Sequence, residues 1–380
     1  MTTVNVKKWK IICVVGARPN FMKIAPILSA LRESPIDALL VHTGQHYDQN
    51  LSASFFDQLN IPAPQKHLNV GSGSHSNQIA EVMKRFDPLL VEEKPDAVLV
   101  VGDVNSTLAA AIAATKRNIP VVHVEAGLRS NDRAMPEEIN RILTDQIADV
   151  LYTTERQAGD NLLREGIPPQ RIVFVGNVMV DTLRNNLDRA KPPRETLATA
   201  VGAPIDSALP YGILTLHRPS NVDARDTLEQ LLQTIVEASE RIQIAFPAHP
   251  RTLARIEAFG FLPLLSRGQI GLLPPLGYLE MLGLMAGAKL VLTDSGGIQE
   301  ETTALGVPCL TLRENTERPI TISQGTNTLV GTDPHVVQQA IAEVLSHGAK
   351  QGRTPEYWDG NAAKRIMADL VNRLAGETQQ

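Results

Sequence analysis

The sequence predicts an α/β fold built as two parallel-sheet halves, and three observations carry that expectation. First, short Val/Ile/Leu runs alternate with amphipathic helical stretches along nearly the whole chain, the element order that builds βαβ units. The runs are apolar throughout, as strands covered on both faces require. Second, residues 188–210 interrupt the alternation with Lys191-Pro192-Pro193, Gly202-Ala203-Pro204 and Leu209-Pro210. That polar, Pro-bearing stretch reads as a domain junction. Third, 380 residues exceed one ordinary core, and two domains of about 150–200 residues are expected.

In the first half, strands are expected near 10–15, 38–43, 97–101, 121–125, 150–153 and 172–175. Lys7-Lys8-Trp9-Lys10 ahead of the first run imitates a signal peptide, but the apolar run is too short and Arg18 and Lys23 follow at once, so it reads as strand one. Helices fill the gaps, among them 105–117, whose Ala-rich face suits close packing on a sheet. The second half repeats the alternation with strands near 211–216, 243–248, 270–273, 289–293, 308–312 and 327–330. A final helix near 361–375 carries Ala362, Ile366, Leu370, Val371 and Leu374 at helical spacing. The domains are thus expected at 1–185 and 186–360. Two such halves with facing strand ends make a cleft between domains, the default small-molecule site.

Composition excludes several classes. A net charge of −5 leaves no basic excess to neutralise nucleic-acid phosphates. Aromatics are only 4% of residues, too few for a base-stacking platform. No run approaches the ~18 apolar residues that span a bilayer. Cys13 and Cys309 lie in expected buried strands without CxxC or His-partner spacing. Metal and redox roles are therefore not expected, and a reducing cytoplasm is.

Five strand ends carry chemistry, and in an open parallel sheet ligands bind beyond the carboxyl ends of strands. The run 98–101 meets Gly102-Asp103, and 121–124, which contains His123, meets Glu125. The run 213–216 meets His217-Arg218, 244–248 meets His249, and 290–293 meets Asp294-Ser295-Gly296-Gly297. Carboxylates gathered in a cleft raise at least one pKa, which prepares a general acid. Asp103, Glu125 and Glu137 are the candidate set. The plainer readings are a helix N-cap for Asp103 and a first-turn acidic pair behind Pro136 for Glu137 and Glu138. Glu125, ending an apolar strand before Ala126-Gly127, has no such plain reading. His217-Arg218 offers cations to a diphosphate.

Two turns suit anions. Gly16-Ala17-Arg18-Pro19-Asn20-Phe21-Met22-Lys23 follows strand one and opens a helix, with Arg18 and Lys23 adding charge. In the 294–301 stretch, Ser295, Gly296 and Gly297 let backbone N–H groups approach a phosphate. Glu301 lies about one turn further in, where a carboxylate can accept both ribose hydroxyls, and Arg313 and Arg318 follow the next strand. Gly71-Ser72-Gly73-Ser74-His75-Ser76 imitates a dinucleotide fingerprint but lacks the third glycine and follows a poor strand. It reads as a loop, so no NAD and no other cofactor is expected.

Together these stretches resemble the non-hydrolysing UDP-N-acetylglucosamine 2-epimerases. The resemblance rests on GARPNFMKIAPI (16–27), GDVNSTLA (102–109), HVEAGLRS (123–130), MPEEINR (135–141), TLHRPSN (215–221), TDSGGIQEE (293–301) and LRENTERP (312–319). It implies two Rossmann-like domains of GT-B type, with helix 361–380 returning to the first domain. It also implies a homodimer and reversible conversion of UDP-GlcNAc to UDP-ManNAc. By motif position, Arg18, Lys23, Asp103, Glu125, Glu137 and His217 match the catalytic and substrate-contacting set, and Ser295, Glu301 and Arg318 the UDP-binding set.

The chemistry suits those residue types. The sugar C2 proton is not adjacent to a carbonyl, so departure of UDP must first acidify it. A carboxylate then removes it to give enzyme-bound 2-acetamidoglucal, and reprotonation on the other face with return of UDP gives the epimer. The departing UDP needs cations and N–H donors.

Two departures stand out. Family members with a regulatory UDP-GlcNAc site carry Gln-His-Arg-Glu after strand two and Arg-Arg-Glu after the catalytic His. Here the residues are Gln45-His46-Tyr47-Asp48 and Arg218-Pro219-Ser220, so activation by substrate is not expected. The loop between Glu125 and Glu137 is also short, which leaves both Glu137 and Glu138 as the acting residue. The alternatives are a 2-epimerase of a UDP-diacetamido uronic acid and a GT-B UDP-GlcNAc glycosyltransferase.

Overall fold

A computed structural model describes residues 9–45, 49–348 and 350–377. The chain divides into two compact units. One runs to Arg184 and resumes at Glu356, and the other is Asn185–Pro355.

The first unit is built on β1 (Trp9–Val15), β2 (Ile36–His42), β3 (Lys66–His67), β4 (Ala97–Val101), β5 (Val121–Ala126), β6 (Val150–Thr153) and β7 (Ile172–Phe174). They form one sheet in the order β3-β2-β1-β4-β5-β6-β7, with parallel pairing throughout. β4 is five buried apolar residues, which is why it sits at the centre. Helices His75–Glu93 and Asn105–Lys116 cover one face, with Val82, Phe86, Ala109, Ala110 and Ala113 packed on Ile12, Val14, Val98 and Val100. The alanines let the second helix lie close to the sheet. The strand order reverses between β1 and β4, so the segments after these strands flank the point where an open sheet binds ligands.

The returning segment is tied down by its own chemistry. Trp358 is buried and donates from Nε1 to Thr154 O at 3.2 Å. Asp181 accepts from Ala362 N (3.1 Å) and Ala363 N (2.7 Å), capping the helix Ala362–Glu377. That helix packs on Arg18–Arg32.

The second unit holds β8 (Val201–Gly202), β9 (Tyr211–Thr215), β10 (Gln243–Pro247), β11 (Ile270–Leu273), β12 (Leu290–Thr293), β13 (Cys309–Thr311) and β14 (Asn327–Leu329). Their order is β14-β13-β12-β9-β10-β11-β8, and only β8, on β11, is antiparallel. Here the order reverses between β9 and β12. The Pro-bearing segment 188–210 is not a solvated connector. Lys191 N donates to Leu279 O at 3.1 Å, and Leu197 and Ile205 are buried with Tyr211, Ile213 and Val291. Its polar composition hides two core side chains, so the units meet in sequence a few residues earlier than its onset. Among the described residues, no helix is long and apolar enough to cross a membrane.

Candidate active site

In the first unit, Glu125, the last residue but one of β5, lies in the left-handed region, with φ of 71°. The pairing of β5 with β6 slips at that residue. A bulge re-aims a side chain, and a non-glycine residue in this conformation persists only where its surroundings hold it. Lys23 supplies part of that hold. Its Nζ lies 2.7 Å from Glu125 Oε1, with side chains 4% and 1% exposed. Lys23 comes from the helix after β1 and Glu125 from the end of β5, and Lys23 reaches its partner over Gly102 after β4. A Cβ at Gly102 would sit 2.6 Å from Lys23 Nζ, so glycine is what lets the cation through. Arg18 opens the same helix with its guanidinium 5.6 Å from the Phe55 ring centre.

Asp103 is not a helix cap. The N-cap of Asn105–Lys116 is Val104. Instead Arg141 Nη1 donates to Asp103 Oδ2 at 2.5 Å, and Asn140 Nδ2 to Asp103 O at 2.9 Å. Both partners come from the helix Pro136–Ile147, so the start of that helix is brought to the end of β4.

Glu137 and Glu138 are separated by environment. Glu138 is buried and accepts from Ser130 N (3.0 Å), Asn131 N (2.8 Å) and Arg141 Nη2 (2.8 Å). Burial opposes its charge, yet the Ser130 amide and the Arg141 guanidinium outweigh that and hold its carboxyl below the usual range. Its lone pairs are committed to the 127–135 loop. Glu137 is half-buried, and among the described residues no hydrogen bond or ion pair holds it.

Beneath this set lies Asp145, fully buried on the same helix as Glu137. It accepts from Gly127 N at 3.1 Å, pairs with Arg129 Nη2 at 2.7 Å and meets His123 Nδ1 at 2.7 Å. His123 Nε2 in turn lies 2.8 Å from Gly102 O. One carboxylate thus braces the turn after Glu125, the residue before Asp103 and the helix bearing Glu137. Sequence reading named His123 but not Asp145, Arg129 or Arg141. Their signal was a cluster of charges in stretches that had to be buried.

In the second unit Asp294, directly after β12, accepts from His217 N (3.0 Å), Arg218 N (2.9 Å) and Asn221 Nδ2 (3.2 Å) through Oδ2, and faces His217 Nδ1 at 2.7 Å through Oδ1. Pro219 opens the short helix Pro219–Val222 behind this turn. Tyr47, the other departure, lies outside the described residues.

Ser295 is the N-cap of Gly296–Leu305, and its hydroxyl caps none of that helix's N–H groups. Helix-start N–H groups without internal partners suit an anion. A Cβ at Gly296 would lie 2.5 Å from Arg318 Nη1 and 2.6 Å from Glu317 Oε1. Arg318 pairs with Glu300 (3.0 Å) and Glu317, and Arg313 with Glu317 (2.8 Å). Gly297 occupies the next position of the helix, and Glu301 is buried one turn on. Burial lifts the Glu301 carboxyl to about 7, with the facing Tyr278 hydroxyl opposing and Glu300 adding to the rise. Among the described residues no cluster of His, Cys, Asp and Glu could hold a metal ion.

Two doubly wound halves of GT-B type, one presenting carboxylates at its switch point and the other glycine N–H groups and arginines, define a nucleotide-sugar enzyme. A family model described as UDP-N-acetylglucosamine 2-epimerase matches residues 29–371. The UDP-N-acetylglucosamine 2-epimerase of Methanocaldococcus jannaschii is 43% identical over 365 residues, covering 95% of this chain and 99% of that one. A Pseudomonas aeruginosa UDP-2,3-diacetamido-2,3-dideoxy-D-glucuronate 2-epimerase is 40% identical over 370 residues, covering 95% and 99%. The crystal structure of the M. jannaschii UDP-GlcNAc 2-epimerase in complex with UDP-GlcNAc and UDP superposes with a TM-score of 0.87 at 42% identity, covering 96% and 99%. The chain belongs to the UDP-N-acetylglucosamine 2-epimerase family and is an enzyme, an isomerase.

Proposed function

We propose that the protein interconverts UDP-GlcNAc and UDP-ManNAc by elimination and re-addition of UDP. The observation that carries this reading is the carboxylate set of the first unit. Asp103 is held by Arg141, Glu125 by Lys23, and Glu137 stands on the helix whose Asn140 and Arg141 grip Asp103. Epimerisation at C2 needs one group to take a proton from one face and another to return one to the opposite face. Two charge-paired carboxylates and one without an ion pair among the described residues supply that inequality.

In the forward direction the C1–O bond to UDP breaks with its electron pair leaving on the β-phosphate. The C2–H bond then breaks, its electrons forming the C1–C2 double bond of 2-acetamidoglucal, and the proton passes to a carboxylate. Re-addition reverses both steps with the proton delivered to the other face. Ser295, Gly296, Gly297 and Arg318 serve the departing diphosphate, Glu301 the ribose, and His217 contacts the substrate as part of the catalytic set. Arg18 and Lys23 add positive charge at the start of their helix. No redox group enters, since no hydride is exchanged with the medium.

Incubation of purified protein with UDP-GlcNAc, followed through the anomeric protons by NMR, tests this reading. UDP-ManNAc should grow to an equilibrium reached equally from either side. A second reading rests on the P. aeruginosa relative: the sugar is a UDP-diacetamido uronic acid. Turnover of that substrate with none of UDP-GlcNAc would select it. The resemblance also implies a homodimer, which light scattering tests.

A further inference from the structure

Among the carboxylates at strand ends, Asp294 has a relation to a neighbouring side chain that the proposed chemistry does not use. β9 and β12 are adjacent, with Thr215 paired to Thr293, so the residues after each strand meet. Asp294 is fully buried, while the His217 side chain is 41% exposed. One face of the imidazole is therefore fixed and the other is open.

The donors around Asp294 fix the direction of that contact. Oδ2 receives His217 N at 3.0 Å, Arg218 N at 2.9 Å and Asn221 Nδ2 at 3.2 Å, none of which can act as an acceptor. Oδ1 faces His217 Nδ1 at 2.7 Å. A carboxylate can only accept, so Nδ1 must carry a proton. Burial opposes the Asp294 charge, but His217 and these backbone donors hold its carboxyl below the usual range. His249, whose ring centre is 5.8 Å from that of His217, accepts at its own Nδ1 from Arg251 N at 3.2 Å.

We propose that Asp294 is a positioning residue that holds His217 with Nδ1 protonated, so that neutral His217 meets the sugar nucleotide with a lone pair on Nε2. This rests on the reading above that His217 contacts the substrate. A tautomer set in this way decides whether the imidazole can accept a proton at its open face.

Asp294→Asn separates the tautomer from the turn. To keep the backbone N–H groups of His217 and Arg218, the amide oxygen must stay where Oδ2 lies. The amide NH₂ then faces Nδ1, which becomes the acceptor, and neutral His217 carries its proton on Nε2. The experiment uses full-length protein labelled with ¹⁵N-histidine, with His217→Gln to assign the signal among nine histidines. Ring-nitrogen NMR is recorded for wild type and Asp294→Asn, and both are assayed with UDP-GlcNAc. The expected result is Nδ1–H in the wild type, Nε2–H in the variant, and kcat lower by roughly a hundredfold or more, the scale of a misplaced general acid or base. KM should change by less than about threefold, because binding contacts remain. A neutral wild-type His217 with its proton on Nε2, or wild-type kcat in Asp294→Asn, overturns the proposal. If the variant does not fold, the wild-type spectrum decides alone. If no form of the protein turns over UDP-GlcNAc, the epimerase reading fails, and the spectrum still decides whether Asp294 sets the tautomer.

Discussion

Lys23 Nζ sits 2.7 Å from Glu125 Oε1, and neither side chain is more than 4% exposed. A buried pair of this kind is costly to break, because the remaining charge is left without its counterpart. Lys23→Met should therefore lower stability by about 3–5 kcal/mol in urea denaturation. Glu125→Gln keeps an acceptor for Lys23 and should cost less stability, yet cut kcat by more than about a hundredfold. Near wild-type turnover in folded Glu125→Gln would remove Glu125 from the chemistry.

Adjacent residues should part company. Glu137→Gln should lose more than about a hundredfold in kcat with little change in stability. Glu138→Gln should instead lose about 1–3 kcal/mol of stability, since Ser130 N, Asn131 N and Arg141 lose a charged acceptor. Thermal denaturation beside steady-state kinetics checks both. The reverse pattern would transfer the acid–base role to Glu138.

These cases show what the sequence could and could not reveal. β1, β4, β5, β9 and β12 were legible because strands buried on both faces read as continuous apolar runs. β3 and β8 have two residues each and carry no periodic signal. Glu137 and Glu138 are indistinguishable by spacing, since their difference comes from a loop folding back over one of them. Asp294 stood in a recognised motif, but its hold on His217 depends on β9 and β12 being neighbours, which brings together residues 77 positions apart in sequence. Asp145, Arg129 and Arg141 are polar residues whose burial only the assembled first unit reveals.

Glu301 makes stability depend on pH. Burial raises its carboxyl from 4.5 to about 7. Its contribution is therefore fully present below about 4.5 and is lost as pH rises through about 7, a swing on the order of 3 kcal/mol. Asp181, raised to about 6, acts in the same direction, while Glu138, Asp145 and Asp294 act in the opposite one. The difference between wild type and Glu301→Gln isolates Glu301. That difference should favour wild type increasingly as pH falls from 7 to 4.5. A difference independent of pH would contradict the raised carboxyl.

Gly296 tests the nucleotide side. Its missing Cβ leaves room for Arg318 and Glu317. Gly296→Ala and Arg318→Ala should each weaken UDP binding by about tenfold to a hundredfold in calorimetry, the worth of a charge-assisted hydrogen bond. Unchanged affinity in both would mean that the nucleotide does not use this helix start.

Removal of the C2 proton by a carboxylate after UDP departs leaves its mark in the product as solvent hydrogen at C2. Wild-type enzyme is incubated with UDP-GlcNAc in heavy water, and C2 of the product is read by NMR and mass spectrometry. Removal by an acid–base residue that exchanges with solvent predicts UDP-ManNAc carrying deuterium at C2. UDP-ManNAc formed with protium alone at C2 would contradict it.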